Sequence, residues 1–248
     1  MKVLVCISHV PDTTSKINFI DENTQFDLNG VQFIINPNDE FGLTRAIWFK
    51  EKQGASVHVI HVGTAAADPT LRKSLAIGAD KAYRIDTTAH DGNHVAQELA
   101  AFIKTNSYDL VIAGRESIDY NGAMVPGILA GILGIPFIPN CVGLEVDGNT
   151  AIGEREIDGG REKLKGTLPM VIGGQKGLVE ESDLKIPNMR GIMQARQKPF
   201  EVVPSSNSDT KTNDISFEKP APKAAVKLVP ADDIDQLIDL LHKEANVI

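Results

Sequence analysis

The sequence predicts an α/β fold: a doubly wound parallel sheet, with a small β-hairpin extension and a C-terminal arm ending in a helix. Three observations predict it. From residue 1 to about residue 140, short β-branched runs alternate with helix-length segments, the pattern of strands joined by helical crossovers. After Gly134 the pattern changes to short strands around Asp-Gly and Gly-Gly turns. From Pro199 to about Lys227 the chain is rich in Pro, Ser, Lys, Asp and Ala and poor in large apolar residues, as an extended arm is.

Lys2–Ile7 (KVLVCI) is a continuous apolar run of the kind buried on both faces of a parallel sheet. Val57–Val62 (VHVIHV) is a second, Lys81–Ile85 a third and Leu110–Ala113 (LVIA) a fourth. Between them lie helix candidates. Asp39–Gln53 opens with Asn38 and Asp39 as caps, turns Leu43, Ala46 and Ile47 inward and stops near Gly54. Thr70–Ile77 ends at Gly78, a C-cap signal. Asn93–Lys104 carries Val95, Leu99 and Ile103 inward, and Asn121–Leu133 is an apolar helix opening at Asn121-Gly122.

Cys141–Val146, Asn149–Glu156 and Lys163–Leu168 read as strands around turns at Asp147-Gly148-Asn149 and Asp158-Gly159-Gly160, where glycine supplies the positive φ of tight hairpins. Met170–Ile172 can return to the main sheet. Asp232–Glu244 places Ile234, Leu237, Ile238 and Leu241 at i, i+3, i+4 and i+7, a helix with one apolar stripe. Asp232, Asp233 and Asp235 suit its N-terminus, and His242 and Lys243 its C-terminus. That stripe must be covered, either by its own domain or by a partner chain. The expected division is one domain over residues 1–200, with a hairpin insertion at about 140–168 and a loop at about 173–196, followed by the arm and helix over 201–248.

The formal net charge of -8 argues against a non-specific nucleic-acid binder, which needs a basic face. Two cysteines, Cys6 and Cys141, with no CxxC and no Cys/His cluster, suggest neither a disulfide framework nor zinc. The opening MKVLVCI is too short and too β-branched for a signal peptide, and no apolar stretch reaches a membrane span. A cytoplasmic protein without membrane insertion is expected.

No GxxxxGK[ST] and no strand-following GxGxxG is present. A ligand site is still predictable by position, because open α/β sheets bind ligands outside the carboxyl ends of their strands, at the switch point of strand order. Four segments reach that edge: Cys6–His9, Asn36–Asp39, Val62-Gly63-Thr64 and Gly114–Val125. The last is the richest, running from a strand end into a helix start. Its hydroxyls and amides can receive phosphate oxygens at a helix N-terminus; equally, it can be a polar loop that caps the helix through Asn121. His90 and His94 with Asp91 have metal-like spacing but no third clear ligand, and no metal is expected. His58 and His61 fall on opposite faces of one strand. Glu154, Glu156 and Asp158 alternate along a strand and read as a solvated face. No Ser/His/Asp or Cys/His set stands out, so no catalytic residues are assigned.

Six segments in order resemble the electron transfer flavoprotein β family. Val3-Leu4-Val5-Cys6-Ile7-Ser8-His9-Val10-Pro11-Asp12 resembles its opening VLVxVKxVPD, and Ile35-Asn36-Pro37-Asn38-Asp39-Glu40 its MNPxDE turn. Leu75-Ala76-Ile77-Gly78-Ala79-Asp80 matches ALAMGAD, and Gly114-Arg115-Glu116-Ser117-Ile118-Asp119 resembles GKQAIDxD. Arg155-Glu156-Ile157-Asp158-Gly159-Gly160 followed by Leu168-Pro169 matches REIDGGxE…LP, and Pro187-Asn188 through Ile192-Met193-Gln194-Ala195-Arg196 resembles PxIMKAK. Together they run over residues 1 to about 200.

The resemblance implies the adenine nucleotide α-hydrolase-like version of the α/β fold and an α/β heterodimer. The α chain would carry most of the FAD site. The β chain would bind AMP in a structural role, or a second, redox-active FAD in the electron-bifurcating branch. It implies an electron carrier between flavin dehydrogenases and an accepting oxidoreductase, not an enzyme with its own catalytic residues. Nucleotide contacts carried over by position are Cys6, Asn36, Pro37, Asn38, Asp39, Val62 and the run Gly114-Arg115-Glu116-Ser117-Ile118-Asp119-Tyr120-Asn121-Gly122-Ala123-Met124-Val125. The loop after Met170 resembles the segment that recognises dehydrogenase partners, with Leu184, Ile186 and Met189 as anchors or, alternatively, as hairpin packing. Glu156 would face the α chain, and the C-terminal helix would pack on it. The chain departs from the family where a second acid and a Thr often follow AID: Asp119-Tyr120-Asn121-Gly122-Ala123-Met124-Val125 keeps one acid and loses the Thr hydroxyl. A non-redox adenine-nucleotide-binding relative of the same fold is a further reading; an ATP-using one would call for a Gly-rich triphosphate turn, and none is evident.

Overall fold

The computed structural model describes residues 1–223 and 225–248. The chain begins with β1 (Lys2–Cys6), β2 (His9–Pro11), the short pair β3 (Phe19–Ile20) and β4 (Gln25–Phe26), and β5 (Phe33–Ile35). Next come α1 (Pro37–Gln53), β6 (Ser56–Gly63), α2 (Asp68–Ile77), β7 (Lys81–Asp86), α3 (Gly92–Thr105), β8 (Leu110–Gly114) and α4 (Val125–Leu133). They are followed by β9 (Phe137–Asp147), β10 (Thr150–Ile157), β11 (Gly160–Thr167), β12 (Met170–Gly174), α5 (Met189–Ala195), β13 (Phe200–Pro204) and α6 (Ile234–Asp239).

Nine strands form one sheet in the order β11-β10-β9-β12-β8-β1-β6-β7-β13. The pairings from β9 through β12, β8, β1, β6 and β7 to β13 are parallel, and β10 and β11 add an antiparallel hairpin at one end. Alternation along each strand divides the core between the two sheet faces. Val3 and Val5 join Leu43, Ala46, Leu71 and Leu75 of α1 and α2 on one face. Leu4 and Cys6 join Ala96, Leu99, Leu129 and Ala130 of α3 and α4 on the other. Every residue of β8 and β12 is buried, as central strands covered on both faces require. This is the doubly wound α/β fold expected.

The winding fixes the switch point. From β1 the chain steps outward to β6 and β7, then returns with β8 to the opposite side of β1. The crevice therefore opens where β1 and β8 end, at Cys6 and Gly114.

Several elements differ from expectation. The helix expected from Asn121 starts at Val125, because Asn121 and Ala123 hold φ of 49°, outside the helical region. Pro126, which suits a first turn, sits just inside the new start. The arm expected from Pro199 first adds an edge strand, β13, parallel to β7 and tied by Lys81 Nζ to Glu201 Oε2 at 2.7 Å. The pairing of β2 with β5 had no expectation attached. The hairpin turns fall where glycine placed them, with φ of 55° at Gly148 and 84° at Gly159. The C-terminal helix is short, Ile234–Asp239, and passes into a wider turn over Leu240–Glu244; Ile234, Leu237 and Ile238 of its stripe are exposed.

Candidate functional site

A cleft of about 360 Å³ lies at the switch point. One wall is Cys6–His9, after β1, and a second is Ile60–Val62, at the end of β6. Ala89–Gly92, before α3, and segments of the 113–126 loop complete the rim, joined by Thr212 and Asp214 from the arm.

Asp39 holds the two central strand ends together. It is buried in the first turn of α1, where the helix dipole favours an anion. Its Oδ2 accepts from Ser8 N at 2.6 Å and its Oδ1 from Gly114 N at 2.7 Å. Burial pushes this carboxyl up to about 7, against the pull of its hydrogen-bond donors. Asn36, fully buried, grips the loop after β8: its Nδ2 donates to Glu116 O at 2.9 Å and its Oδ1 accepts from Ile118 N at 3.2 Å. Asn38 Nδ2 adds a second donor to Glu116 O at 3.0 Å. Pro37 occupies the start of α1, where a missing N–H costs nothing.

Twelve of the residues expected to contact a nucleotide line the cleft: Cys6, Asp39, Val62, Gly114, Glu116, Ser117, Asp119, Tyr120, Gly122, Ala123, Met124 and Val125. Asn36, Pro37, Asn38, Arg115, Ile118 and Asn121 do not. Asn36 and Asn38 brace the loop from behind, and Ile118 supplies the N–H that Asn36 accepts. Asn121 takes its positive φ and donates to Ile118 O at 3.3 Å instead of capping a helix. Arg115 turns away, donating to Gln175 Oε1 at 3.2 Å and pairing with Glu116 Oε1 at 2.9 Å. Gln175 in turn donates to Glu156 Oε2 at 2.6 Å, so the loop after β8 is linked to the hairpin.

Several lining residues lie outside the expected nucleotide contacts, although His9 falls in the Cys6–His9 segment expected at that edge. His61 is half-buried, with Nδ1 donating to Ile7 O at 2.8 Å, and desolvation holds its pKa down to about 4, so it is neutral near pH 7. His9 stacks on Phe33 at 4.4 Å, and burial lowers its pKa too. Cys6 remains a thiol, because burial, and secondarily Asp39, push its pKa up. The His90–Gly92 rim follows β7, so the strand-end rule that found the other loops would have found it. Thr212 and Asp214 carry no such signal.

The remaining expected residues separate by exposure. Ile186 and Met189 are 80% and 75% exposed, whereas Leu184 packs against the core, so the packing alternative fits Leu184. Glu156 is exposed on β10. Asp91 caps α3 by accepting from His94 N at 2.6 Å, and no cluster of three metal-ligating side chains occurs among the described residues.

The cleft lining contains five carboxylates, Asp39, Asp91, Glu116, Asp119 and Asp214, and no Lys or Arg. An anionic ligand there would rely on backbone N–H groups and on neutral donors such as the hydroxyls of Ser117 and Thr212.

The electron transfer flavoprotein domain model matches residues 24–208. The electron transfer flavoprotein subunit beta of Bacillus subtilis (strain 168) is 34% identical over 262 residues, covering all of both chains. That of Syntrophomonas wolfei is 34% identical over 227 residues, 91% of this chain and 88% of the relative. A probable electron transfer flavoprotein subunit beta of Saccharomyces cerevisiae is 30% identical over 257 residues, 98% of this chain and 96% of the relative. With the motifs of its strand ends and its near full-length likeness to these relatives, the chain belongs to the electron transfer flavoprotein family, on its β-subunit branch.

Proposed function

We propose that the chain is the β subunit of a heterodimeric electron transfer flavoprotein, with FAD held mainly by the α subunit and AMP in the switch-point cleft. It would carry electrons in the cytoplasm from flavin dehydrogenases to an accepting oxidoreductase. The observation that carries the nucleotide assignment is the cleft itself. Its volume of about 360 Å³ is at the low end of small-ligand sites, which run from about 300 to 1,000 Å³. It has an apolar side, Ile60, Val62, Val95 and Leu99, for a base, and a polar loop for one phosphate. A mononucleotide suits that size better than a dinucleotide, which favours AMP over a second FAD.

FAD supplies the electron chemistry when bound on the partner. The residues of this chain hold a nucleotide, orient the loop after β8 and present docking surfaces. Ile186 and Met189 stand exposed beside Glu180, Glu181 and Asp183, a small apolar anchor with an acidic rim for a redox partner. No helix among the described residues is long and apolar enough to cross a membrane.

Nucleotides released from the co-expressed heterodimer by denaturation decide the reading. One flavin plus one AMP is expected; two flavins per heterodimer would overturn the AMP assignment. Asn36→Ala removes one of the two donors to Glu116 O and frees Ile118 N, and should cut AMP retention roughly tenfold, the effect of losing buried hydrogen bonds; unchanged AMP content would count against it. Removing residues 232–248 takes away the exposed stripe of α6. The truncated chain is expected to lose most of its co-purification with the α subunit, and undiminished recovery would contradict helix docking.

A further inference from the structure

The arm crosses the mouth of the cleft, and it is pinned on both sides. β13 runs parallel to β7, so it delivers the arm to the carboxyl edge of the sheet, where the cleft opens. From there the chain runs back along α3 toward its N-terminus. Glu98, buried in α3, accepts four hydrogen bonds from Ser206 and Ser208, at 2.7 to 2.9 Å. Asp91 at the rim accepts Lys211 N at 2.6 Å and Thr212 N at 2.8 Å. Asp214 then receives a hydrogen bond from Tyr120 Oη, on the opposite rim, at 3.0 Å. Beyond the cleft, Phe217 stacks on Phe19 at 5.0 Å and donates its N–H to Asn23 O at 2.7 Å.

The geometry points to residues 206–217 as a strap over the cleft, and to the Tyr120–Asp214 hydrogen bond as the latch that limits how fast a ligand enters and leaves. The inference rests on the nucleotide reading of the cleft. Its chemistry is simple: two strong fastenings sit on α3, on carboxylates already held by several donors, and Phe217 holds the far end, whereas the tie to the loop after β8 is a single exposed bond. That tie is the one whose rupture opens the mouth while leaving the rest of the arm in place. Breaking the latch lowers the barrier in both directions, so entry and exit speed up together. Tyr120 and Asp214 are positioning residues in this role.

The test is AMP exchange in the full heterodimer, read as release of labelled AMP into excess unlabelled AMP and as uptake, together with the equilibrium Kd. Tyr120→Phe and Asp214→Ala each alter an exposed side chain and leave the core intact. Each is expected to raise both rates roughly three- to tenfold, the effect of one hydrogen bond to a charged oxygen discounted for exposure. The double variant should match the singles, because both remove one bond. A role in structure alone would move stability or Kd and leave the two rates in no fixed relation. Wild-type AMP uptake with unaltered exchange in both variants would overturn the latch alone. A wild-type heterodimer that takes up no AMP would overturn the nucleotide reading and the latch together.

Discussion

Gly114→Ala is expected to destabilise the fold by about 3 to 5 kcal/mol and to abolish ligand retention, the former seen as a lower urea midpoint. An added Cβ would lie 2.3 Å from Asp39 Oδ1, 2.8 Å from Asn38 Cβ and 3.0 Å from Asn36 Nδ2. None of these can give way without loss. Asp39 is held by the N–H groups of Ser8 and of Gly114 itself, and Asn36 by Glu116 and Ile118. Overpacking of this kind costs about 1 to 3 kcal/mol, and a forced retreat of the buried carboxyl strands N–H donors at about 1 to 3 kcal/mol each. The same movement separates the ends of β1 and β8, which are the floor of the cleft. Gly131→Ala is the matched control: it is a helical glycine with open space beside it, and should stabilise α4 by about 0.5 to 1 kcal/mol. If Gly114→Ala melts with the wild type and keeps its nucleotide, Asp39 is not the clasp of the switch point.

Much of this architecture was legible in sequence because burial writes a strong pattern. Val3-Leu4-Val5 and Leu110-Val111-Ile112 are covered on both faces, so their strands are uninterrupted apolar runs. The strand-end rule then located the loops at Cys6, Asn36–Asp39 and Gly114 without any contact information. Legibility failed where structure depends on partners distant in the chain. Phe200–Pro204 has a charge and a proline and reads as arm; it becomes a strand because β7 offers an open edge. The start of α4 slipped from Asn121 to Val125 because positive φ at Asn121 and Ala123 has no signature beyond a permissive residue type. The roles of Asn36 and Arg115 were also indistinct: both sit in the right segments, yet one braces the loop and the other leaves it. Thr212 and Asp214 are reached only through bonds such as Ser208 to Glu98, 110 residues apart, which no local pattern encodes.

That long-range fastening gives the second large effect. Glu98→Gln should release the arm by about 2 to 3 kcal/mol, read as roughly 30- to 160-fold faster hydrogen exchange at the amides of Ser206 and Ser208 near pH 7. Burial by itself would raise the Glu98 carboxyl, but the donors of Ser208 and Ser206 overcome it and hold it down to about 2. A folded-state pKa below the unfolded one, ordinarily about 4.3, stabilises the docked arm above that value and loses the contribution as pH falls toward 2. Glutamine keeps the shape but removes the charge, and sets an amide N–H₂ against the N–H of Ser206 or the donors of Ser208. The variant should therefore lack the acid sensitivity of the wild type. Wild-type protection of these two amides, corrected for intrinsic exchange, should fall between pH 4.5 and pH 2 and converge on that of the variant. Equal protection at pH 7, or a gap that stays constant down to pH 2, would sink the assignment. Because all four donors lie in the arm and the acceptor lies in α3, the loss should fall on the arm and leave exchange in β1 and β8 unchanged, which separates unfastening of the strap from a general weakening of the sheet.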